Sequence, residues 1–161
     1  MRTETHRPGY AALRSGRVSI PGQAYILTWA TSERRPILHP LDGARAMIRS
    51  LIHSDGCGWT ETFAFVVMPD HVHWCIRLGY EKCLSDIVCS VKRYSARELK
   101  TLTSLNDRIW QSGFHDRALR SGDDLVAISR YVVANPLRAG LAHKIGDYAH
   151  WDAVWMDSFI Q

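Results

Sequence analysis

The sequence predicts an α+β protein in which helices pack on an antiparallel, ferredoxin-like sheet. Runs of aromatic and aliphatic residues of strand length alternate with segments in which apolar residues recur at helical spacing. Two of the runs, 62–68 and 71–78, are separated only by Pro69-Asp70, a pair that suits a tight turn. The resulting order is strand, helix, strand–turn–strand, helix, strand, helix. An antiparallel sheet with helices packed on it accommodates this order most simply.

The first half of the chain divides at Pro21-Gly22. Residues 1–21 are basic and predict an arm with little regular structure, and residues 22–161 predict a single domain. Residues 23–31 are rich in aromatic and aliphatic side chains, which favours a strand. Residues 41–53 carry an apolar stripe at helical spacing, so we expect a helix that Asp55-Gly56 ends. The members of the stripe are Leu41, Ala44, Met47, Ile48 and Leu51.

The second half continues with an amphipathic helix over residues 85–99, for which Ser85 is the expected N-cap. Residues 109–114 predict a short strand. Residues 123–134 predict another helix, which Pro136 interrupts. The remaining tail to residue 161 is aromatic and predicted to be irregular.

Composition places the chain among ordinary globular proteins: 161 residues suit one domain with a real core. No apolar run approaches the roughly 20 residues that span a bilayer, and the polar N-terminus does not resemble a signal peptide. We therefore expect a cytoplasmic protein without membrane association. The four cysteines form no C-x-x-C pair, which indicates reduced thiols.

The charge balance points to a polyanionic partner, although many plain enzymes are equally basic. The net charge is +4 and the pI about 9.0. The basic residues cluster in the N-terminal arm, in the segment from Lys92 to Lys100, and around Tyr131. We expect phosphate contacts from these clusters, and base stacking from Trp110 or Phe114 if they escape the core, where such residues more often lie. The predicted DNA-binding residues are Arg14, Arg17, Lys92, Arg93, Arg97, Trp110, Arg120 and Arg138.

His71 and His73 are the strongest candidates for a metal site. Alternate side chains of a strand share a face, so the two imidazoles lie roughly 6.6 Å apart at their Cα atoms and can converge on one ion. A lone strand histidine is usually only hydrogen-bonded or solvated, whereas two on one face after a turn favour a metal. Cys75 shares their face, but at roughly 13 Å from His71 it is better interpreted as a small apolar filler.

Tyr131 and Asn135 lie four residues apart on the predicted last helix and therefore share a face. A phenol beside an amide oxygen supplies a nucleophile next to a third metal ligand. Two alternatives stay open on the residues alone. Asn135 precedes Pro136, a good pair for capping a new helix. Tyr94, with Glu98 four residues on, is a rival nucleophile and ligand.

Three segments together resemble the single-tyrosine transposases of the HUH superfamily, and among these the REP-associated tyrosine transposases of bacteria. The segments are MPDHVHW at 68–74, IWQSGFHDRALR at 109–120 and RYVVANPLRAGL at 130–141, and the likeness extends to 13–28. The resemblance implies that His71 and His73 hold Mg²⁺ or Mn²⁺ and that Tyr131, rather than Tyr94, is the nucleophile. It implies Asn135 as third ligand, where many relatives carry Gln.

The same resemblance implies a metal-dependent endonuclease and strand transferase acting on single-stranded, hairpin-forming DNA repeats. Tyr131 forms a 5′-phosphotyrosine that stores the bond energy, so no nucleotide cofactor is needed. Relatives occur as monomers or homodimers, and we expect one of these. Two rival functions stay open: a non-catalytic hairpin-binding protein, and a metal-dependent hydrolase unrelated to DNA. The hydrolase would need a nearby carboxylate as its base; Asp70 is the only adjacent candidate, and the turn already accounts for it. Covalent attachment of protein to cleaved DNA separates the three.

Overall fold

The computed structural model describes residues 18–154 and contains one five-stranded sheet. The strands are β1 (Ala24–Ala30), β2 (Thr60–Val67), β3 (His71–Leu78), β4 (His115–Ala118) and β5 (Trp151–Ala153). They lie in the order β4-β1-β3-β2-β5, and each neighbouring pair is antiparallel. The first four follow the ferredoxin-like order, so the predicted fold class is confirmed.

Helices cover both faces of this sheet. They are α1 (Leu41–Gly56), α2 (Leu84–Thr103), α3 (Leu125–Val133) and the single turn α4 (Asn135–Arg138). The buried residues of α1 and α2 share one core with the even-numbered residues of β3. The buried residues of α3 share a second, smaller core with Cys75, Ala64 and Val66. Helix α3 therefore lies on the opposite face of the sheet from α1 and α2.

Strand β3 explains this two-sided arrangement. Val72, Trp74 and Ile76 are fully buried against α1 and α2, and Trp74 makes an edge contact with Trp29 at 6.1 Å between ring centroids. Because side chains alternate along a strand, the imidazoles that lie between them in sequence are on the α3 face. The Pro69-Asp70 turn joins β2 to β3 as predicted, closed by the Met68 N–H donating to the His71 carbonyl at 2.8 Å.

Two predicted helix boundaries are wrong. Helix α1 includes Asp55 and ends at Gly56. The Asp55 carboxylate accepts hydrogen bonds from the Thr60 hydroxyl and the Thr62 N–H. Helix α2 begins at Leu84 rather than at a Ser85 cap. The hydroxyl of Ser19, distant in sequence, accepts the Leu84 N–H at 3.0 Å, which a local capping rule could not foresee.

The predicted strand over residues 109–114 is also wrong, because the fourth strand is His115–Ala118. Ile109, Trp110 and Phe114 are at most 7% exposed and anchor this segment in the major core. Within the segment, Trp110 forms an isolated antiparallel bridge with Thr31 at the end of β1. The apolar character of the segment therefore reflects burial more than strand pairing. The predicted irregular tail likewise contains β5, whose Trp151 packs in the second core and donates to the Ile145 carbonyl.

Across residues 18–154, no helix combines the length and the apolar character that crossing a bilayer requires.

Candidate active site

The paired imidazoles lie on one face of β3 with their rings nearly perpendicular. The ring centroids of His71 and His73 are 4.9 Å apart, at an interplanar angle of 84°. Nδ1 of His71 lies 2.6 Å from an Asp70 carboxylate oxygen, and Nδ1 of His73 lies 2.9 Å from the Thr28 hydroxyl. With both Nδ1 atoms engaged, the Nε2 lone pairs are the ones available to a metal. A carboxylate or hydroxyl behind a ligating imidazole is the usual support of such a site.

His73 is in the protonation state that metal binding needs. Burial, followed by the positive charges of His71, Arg138 and Arg34, lowers the pKa of His73 from 6.5 to about 4. The imidazole is therefore neutral at pH 7, with its lone pair free of a proton. Since a metal must otherwise displace that proton, a lowered pKa favours ligation at neutral pH.

Tyr131 lies on α3, the helix that covers the imidazole face. The Asp124 carboxylate starts this helix by accepting the N–H groups of Val126 and Ala127. The neighbouring Val132 is buried in the second core, while the Tyr131 side chain is 62% exposed. The helix thus places a phenol at the surface on the same side of the sheet as His71 and His73.

Arg138 covers the tyrosine ring. Its guanidinium carbon lies 3.8 Å from the centroid of Tyr131, and its Nη1 donates to the Tyr131 carbonyl at 3.0 Å. Arg138 is also one of the charges that lower the pKa of His73. The structure therefore brings Arg138 together with both the candidate nucleophile and the imidazole pair.

Asn135 is the first residue of α4, and its side chain bonds back to α3 instead of capping the new helix. Its side-chain nitrogen donates to the Val132 carbonyl at 2.7 Å, and the start of α4 has no side-chain cap. The expected N-cap role is therefore wrong in its geometry. Because the bond to Val132 uses the amide nitrogen, the amide oxygen is the atom left for a metal. Its role as third ligand stays a prediction.

Tyr94 and Glu98 lie on the other side of the sheet. Tyr94 stacks on the His53 ring of α1 at 4.7 Å between centroids, and Glu98 forms an ion pair with Arg49 of α1. Since α2 packs on the face opposite His71 and His73, the sheet separates Tyr94 from the imidazoles. This geometry favours Tyr131 as the nucleophile.

The predicted DNA-binding residues of α2 lie on the helix that packs on the opposite face of the sheet from the imidazoles. Arg93 and Arg97 are exposed on α2. The Lys92 ammonium instead donates to the carbonyls of Gln111, at 3.0 Å, and Gly113, while burial lowers its pKa to about 8. Lys92 is thereby engaged in holding the 111–113 segment.

The stacking role expected of Trp110 is wrong in this structure. Trp110 is only 5% exposed, donates its indole N–H to the Lys92 carbonyl at 3.1 Å, and contacts the Trp29 ring edge-on. Phe114, at 7% exposed, is similarly buried. Neither ring offers a free face to a base. Arg120 is exposed after β4, and Arg14 and Arg17 lie outside the described residues.

The residues present fit a divalent cation. Between residues 18 and 154 there is no group of three or more His, Cys, Asp or Glu residues that could hold a metal. The candidate ligands are instead two imidazoles and one amide oxygen, from His71, His73 and Asn135. A set with few protein ligands leaves coordination positions for water and phosphate oxygens, as Mg²⁺ requires.

Sequence reasoning missed three residues of this site. Thr28 could have been found by pairing β1 with β3, because it lies directly opposite His73. Asp70 was attributed to the turn alone, although it also supports His71. Arg34 gave no local signal, because it approaches Asp70 and His73 only through the fold.

The sheet thus carries paired imidazoles on the face that a tyrosine-bearing helix covers. The family model described as "Transposase IS200 like" matches residues 19–135. The chain belongs to this family, which confirms the prediction of a DNA-cleaving transposase.

Two known proteins are similar to the chain. The ISDra2 transposase TnpA of Deinococcus radiodurans is 27% identical over 101 residues, which cover 61% of this chain and 70% of that protein. A solved REP-associated tyrosine transposase bound to a REP hairpin matches with a TM-score of 0.67 and 22% identity. The match covers 84% of this chain and 79% of that one, and it supports the fold.

Proposed function

We propose that this transposase cleaves and rejoins single-stranded DNA at hairpin-forming repeats, with Tyr131 as its nucleophile. One observation carries the assignment: α3 and the His71–His73 pair occupy the same face of the sheet, whereas Tyr94 occupies the other. The similar transposase that is bound to a REP hairpin supports a hairpin substrate.

In the proposed reaction, the Tyr131 oxygen attacks the scissile phosphorus. A phosphorus–tyrosine bond forms and the bond to the 3′ oxygen breaks, so the products are a 5′-phosphotyrosine and a free 3′-hydroxyl. The covalent bond conserves the energy of the phosphodiester. A 3′-hydroxyl can therefore reverse the step and join strands without a nucleotide cofactor.

The surrounding residues orient the reacting groups. His71, His73 and Asn135 would hold Mg²⁺ or Mn²⁺, which supplies Lewis acidity to the phosphoryl oxygens when bound. Asp70 and Thr28 fix the imidazoles from behind. Holding the groups in place before the substrate arrives is what lowers the barrier in such sites.

The substrate strand would approach the face of α3. Arg120 and Arg138 are the exposed cations of the predicted set on this side, whereas DNA that reached Arg93 and Arg97 would have to pass around the sheet. Action as a monomer or homodimer, and a location in the cytoplasm beside the nucleoid, stay predictions.

Covalent capture tests the assignment. The protein would be incubated with Mn²⁺ or Mg²⁺ and candidate hairpins with single-stranded flanks, each labelled at either the 5′ or the 3′ end. Because a 5′-phosphotyrosine retains the downstream fragment, only the 3′ label should move with the protein on a denaturing gel. Tyr131→Phe should abolish the adduct, and Tyr94→Phe should retain it.

Each other outcome has a definite meaning. Adducts that persist in Tyr131→Phe but vanish in Tyr94→Phe would refute the nucleophile. Hairpin binding without any adduct, under all divalent ions tried, would favour the non-catalytic binding protein. Cleavage without covalent attachment would favour a hydrolase.

A further inference from the structure

We propose that a cavity beside His71 binds a backbone phosphate of the substrate strand, next to the scissile one. This inference rests on the proposed function, because it assumes that the strand crosses the imidazole pair. The cavity lies between the end of β1 and the 111–115 segment and has a volume of about 90 Å³. Its polar lining comes from Thr28, Arg34, His71, Gln111, Ser112 and His115.

Arg34 reaches this cavity through an unusual backbone. Glu33 and Arg34 both have left-handed conformations, with φ of 56° and 55°. Such residues cost of order 1 kcal/mol each and concentrate where function requires them. Backbone hydrogen bonds hold the start of this segment. The Thr31 N–H donates to the Asp70 carbonyl at 2.9 Å, and the Ser32 N–H donates to the Ile109 carbonyl at 2.8 Å.

The Arg34 guanidinium is available to an anion. It lies 3.5 Å from the Asp70 carboxylate, yet its side chain is 57% exposed. Asp70 also accepts from His71 at the shorter distance of 2.6 Å. An exposed ion pair of this kind contributes little to stability. Arg34 can therefore exchange it for the bidentate, charge-assisted bonds that guanidinium groups form with phosphate.

The opposite wall of the cavity is fixed before any ligand binds. The Lys92 ammonium holds the carbonyls of Gln111 and Gly113, and the Gln111 N–H donates to the Ala30 carbonyl at 2.9 Å. Arg108 donates to the Ser112 hydroxyl at 3.0 Å. Because this wall is already ordered, a ligand would lose little conformational entropy on binding there.

The charge around the cavity selects a phosphate. Arg34 lines it, and Arg108 lies at its rim through Ser112. None of the lining residues, all within the described part of the chain, is acidic. Fixed cations that lack a base-reading pattern bind the backbone and position the strand. Because the cavity shares His71 with the imidazole pair, a scissile phosphate on that pair would bring its neighbour here.

Salt-dependent binding tests this without any cleavage. The Tyr131→Phe protein would be titrated, in EDTA, into a fluorescent hairpin with single-stranded flanks. Fluorescence anisotropy would give the affinity at salt concentrations between about 50 and 200 mM. Adding Arg34→Ala should weaken binding about tenfold and reduce the slope of log K against log salt by about 0.7, the value of one single-strand phosphate contact. The matched control is Arg49→Ala, which removes an equal charge from an ion pair on the opposite face and should change neither quantity.

A phosphate scan locates the contact. Methylphosphonates would neutralise one phosphate at a time near the scissile position. One substitution should weaken the Arg34 protein about tenfold and have no further effect on Arg34→Ala, as expected for two partners of one contact. Should Arg34→Ala unfold, Arg34→Gln serves in the same scan.

Two results would overturn the proposal. The first is a scan in which every methylphosphonate weakens Arg34→Ala as much as its parent. The second is inorganic phosphate, tested alone, shifting the Arg34 side-chain resonances while the scan stays flat, which would indicate a site for free anions. Since the readout is binding by a protein that lacks the nucleophile, failure here is distinguishable from failure of the adduct experiment.

Discussion

The two faces of the central sheet are supplied by the same strands but have different tasks. The face covered by α1 and α2 is a continuous apolar core in which the rings of Trp29, Trp74 and Trp110 meet edge to face. The face covered by α3 has a smaller core, and the half-buried His71 and His73 lie at one end of it. Because side chains alternate along each strand, the packed core lies on one face and the candidate reactive groups lie on the other. The imidazoles are held from behind by side chains that take no part in the reaction.

The largest expected difference between the faces is in stability. Trp74→Ala removes a fully buried ring from the major core and should lower the free energy of unfolding by about 3–5 kcal/mol. Cys75→Ala, one residue later and equally buried on the α3 face, removes only a sulfur and should cost about 1 kcal/mol. Urea unfolding measures both. Equal losses would contradict the view that the α1–α2 face carries most of the stability.

The pH dependence of stability should report the cost of half-burying His73. Its pKa is about 4 in the folded protein and 6.5 ordinarily, so the unfolded chain binds the proton more readily. The contribution of His73 to the free energy of unfolding is therefore complete above pH 6.5 and is lost as the pH falls from 6.5 to 4. Below pH 4 it changes no further. It amounts to at most about 3 kcal/mol.

The measurement is urea unfolding of the metal-free protein at several pH values. His150, whose pKa burial also lowers, titrates in the same direction, so the comparison must be with His73→Gln. The wild type should lose more stability than the variant between pH 6.5 and 4. Parallel curves would show that His73 is as well solvated as an exposed histidine.

The fold was predictable where the signal was local and periodic. The alternation around His71 and His73 and the Pro69-Asp70 turn fixed a hairpin and its faces. The 109–114 segment misled because apolar residues identify burial, and burial in a loop anchored against Trp29 looks like burial in a strand. The Ser19 cap of α2 involves residues 65 positions apart and lies beyond any local rule.

The site was predictable only where local spacing determined it, as for the pair of His71 and His73. Which tyrosine reaches the imidazoles depends on which face each helix covers, and helical spacing alone does not contain that information for Tyr94 and Tyr131. Whether Lys92 and Trp110 are exposed to DNA likewise depends on how the loop before β4 packs, which local spacing does not show. The resemblance to a family of transposases favoured Tyr131, and the placement of α3 supplies a physical reason.

Supports behind the imidazoles should affect metal affinity more than stability. Asp70→Asn removes the carboxylate that fixes Nδ1 of His71 and should weaken Mn²⁺ binding about 10- to 100-fold. Glu61→Gln is the control, since it removes an equal charge from an exposed pair with Arg77 at the far end of the hairpin. Calorimetric titration measures both. Equal affinities for the two variants would mean that Asp70 serves only the turn.

The smallest effect distinguishes two roles for Arg138. If its contacts with Tyr131 position the ring, Arg138→Ala should slow single-turnover adduct formation about fivefold, the size of one exposed cation–π contact, and leave hairpin affinity nearly unchanged. Arg138→Lys keeps the charge over the ring and should recover part of the rate. If Arg138 instead contacts a DNA phosphate, affinity and the salt slope should fall together, as Arg120→Ala would show for a purely DNA-binding residue. If Arg138→Ala changes the rate alone, Arg138 acts on the chemistry from the α3 face, while the core on the opposite face maintains the fold.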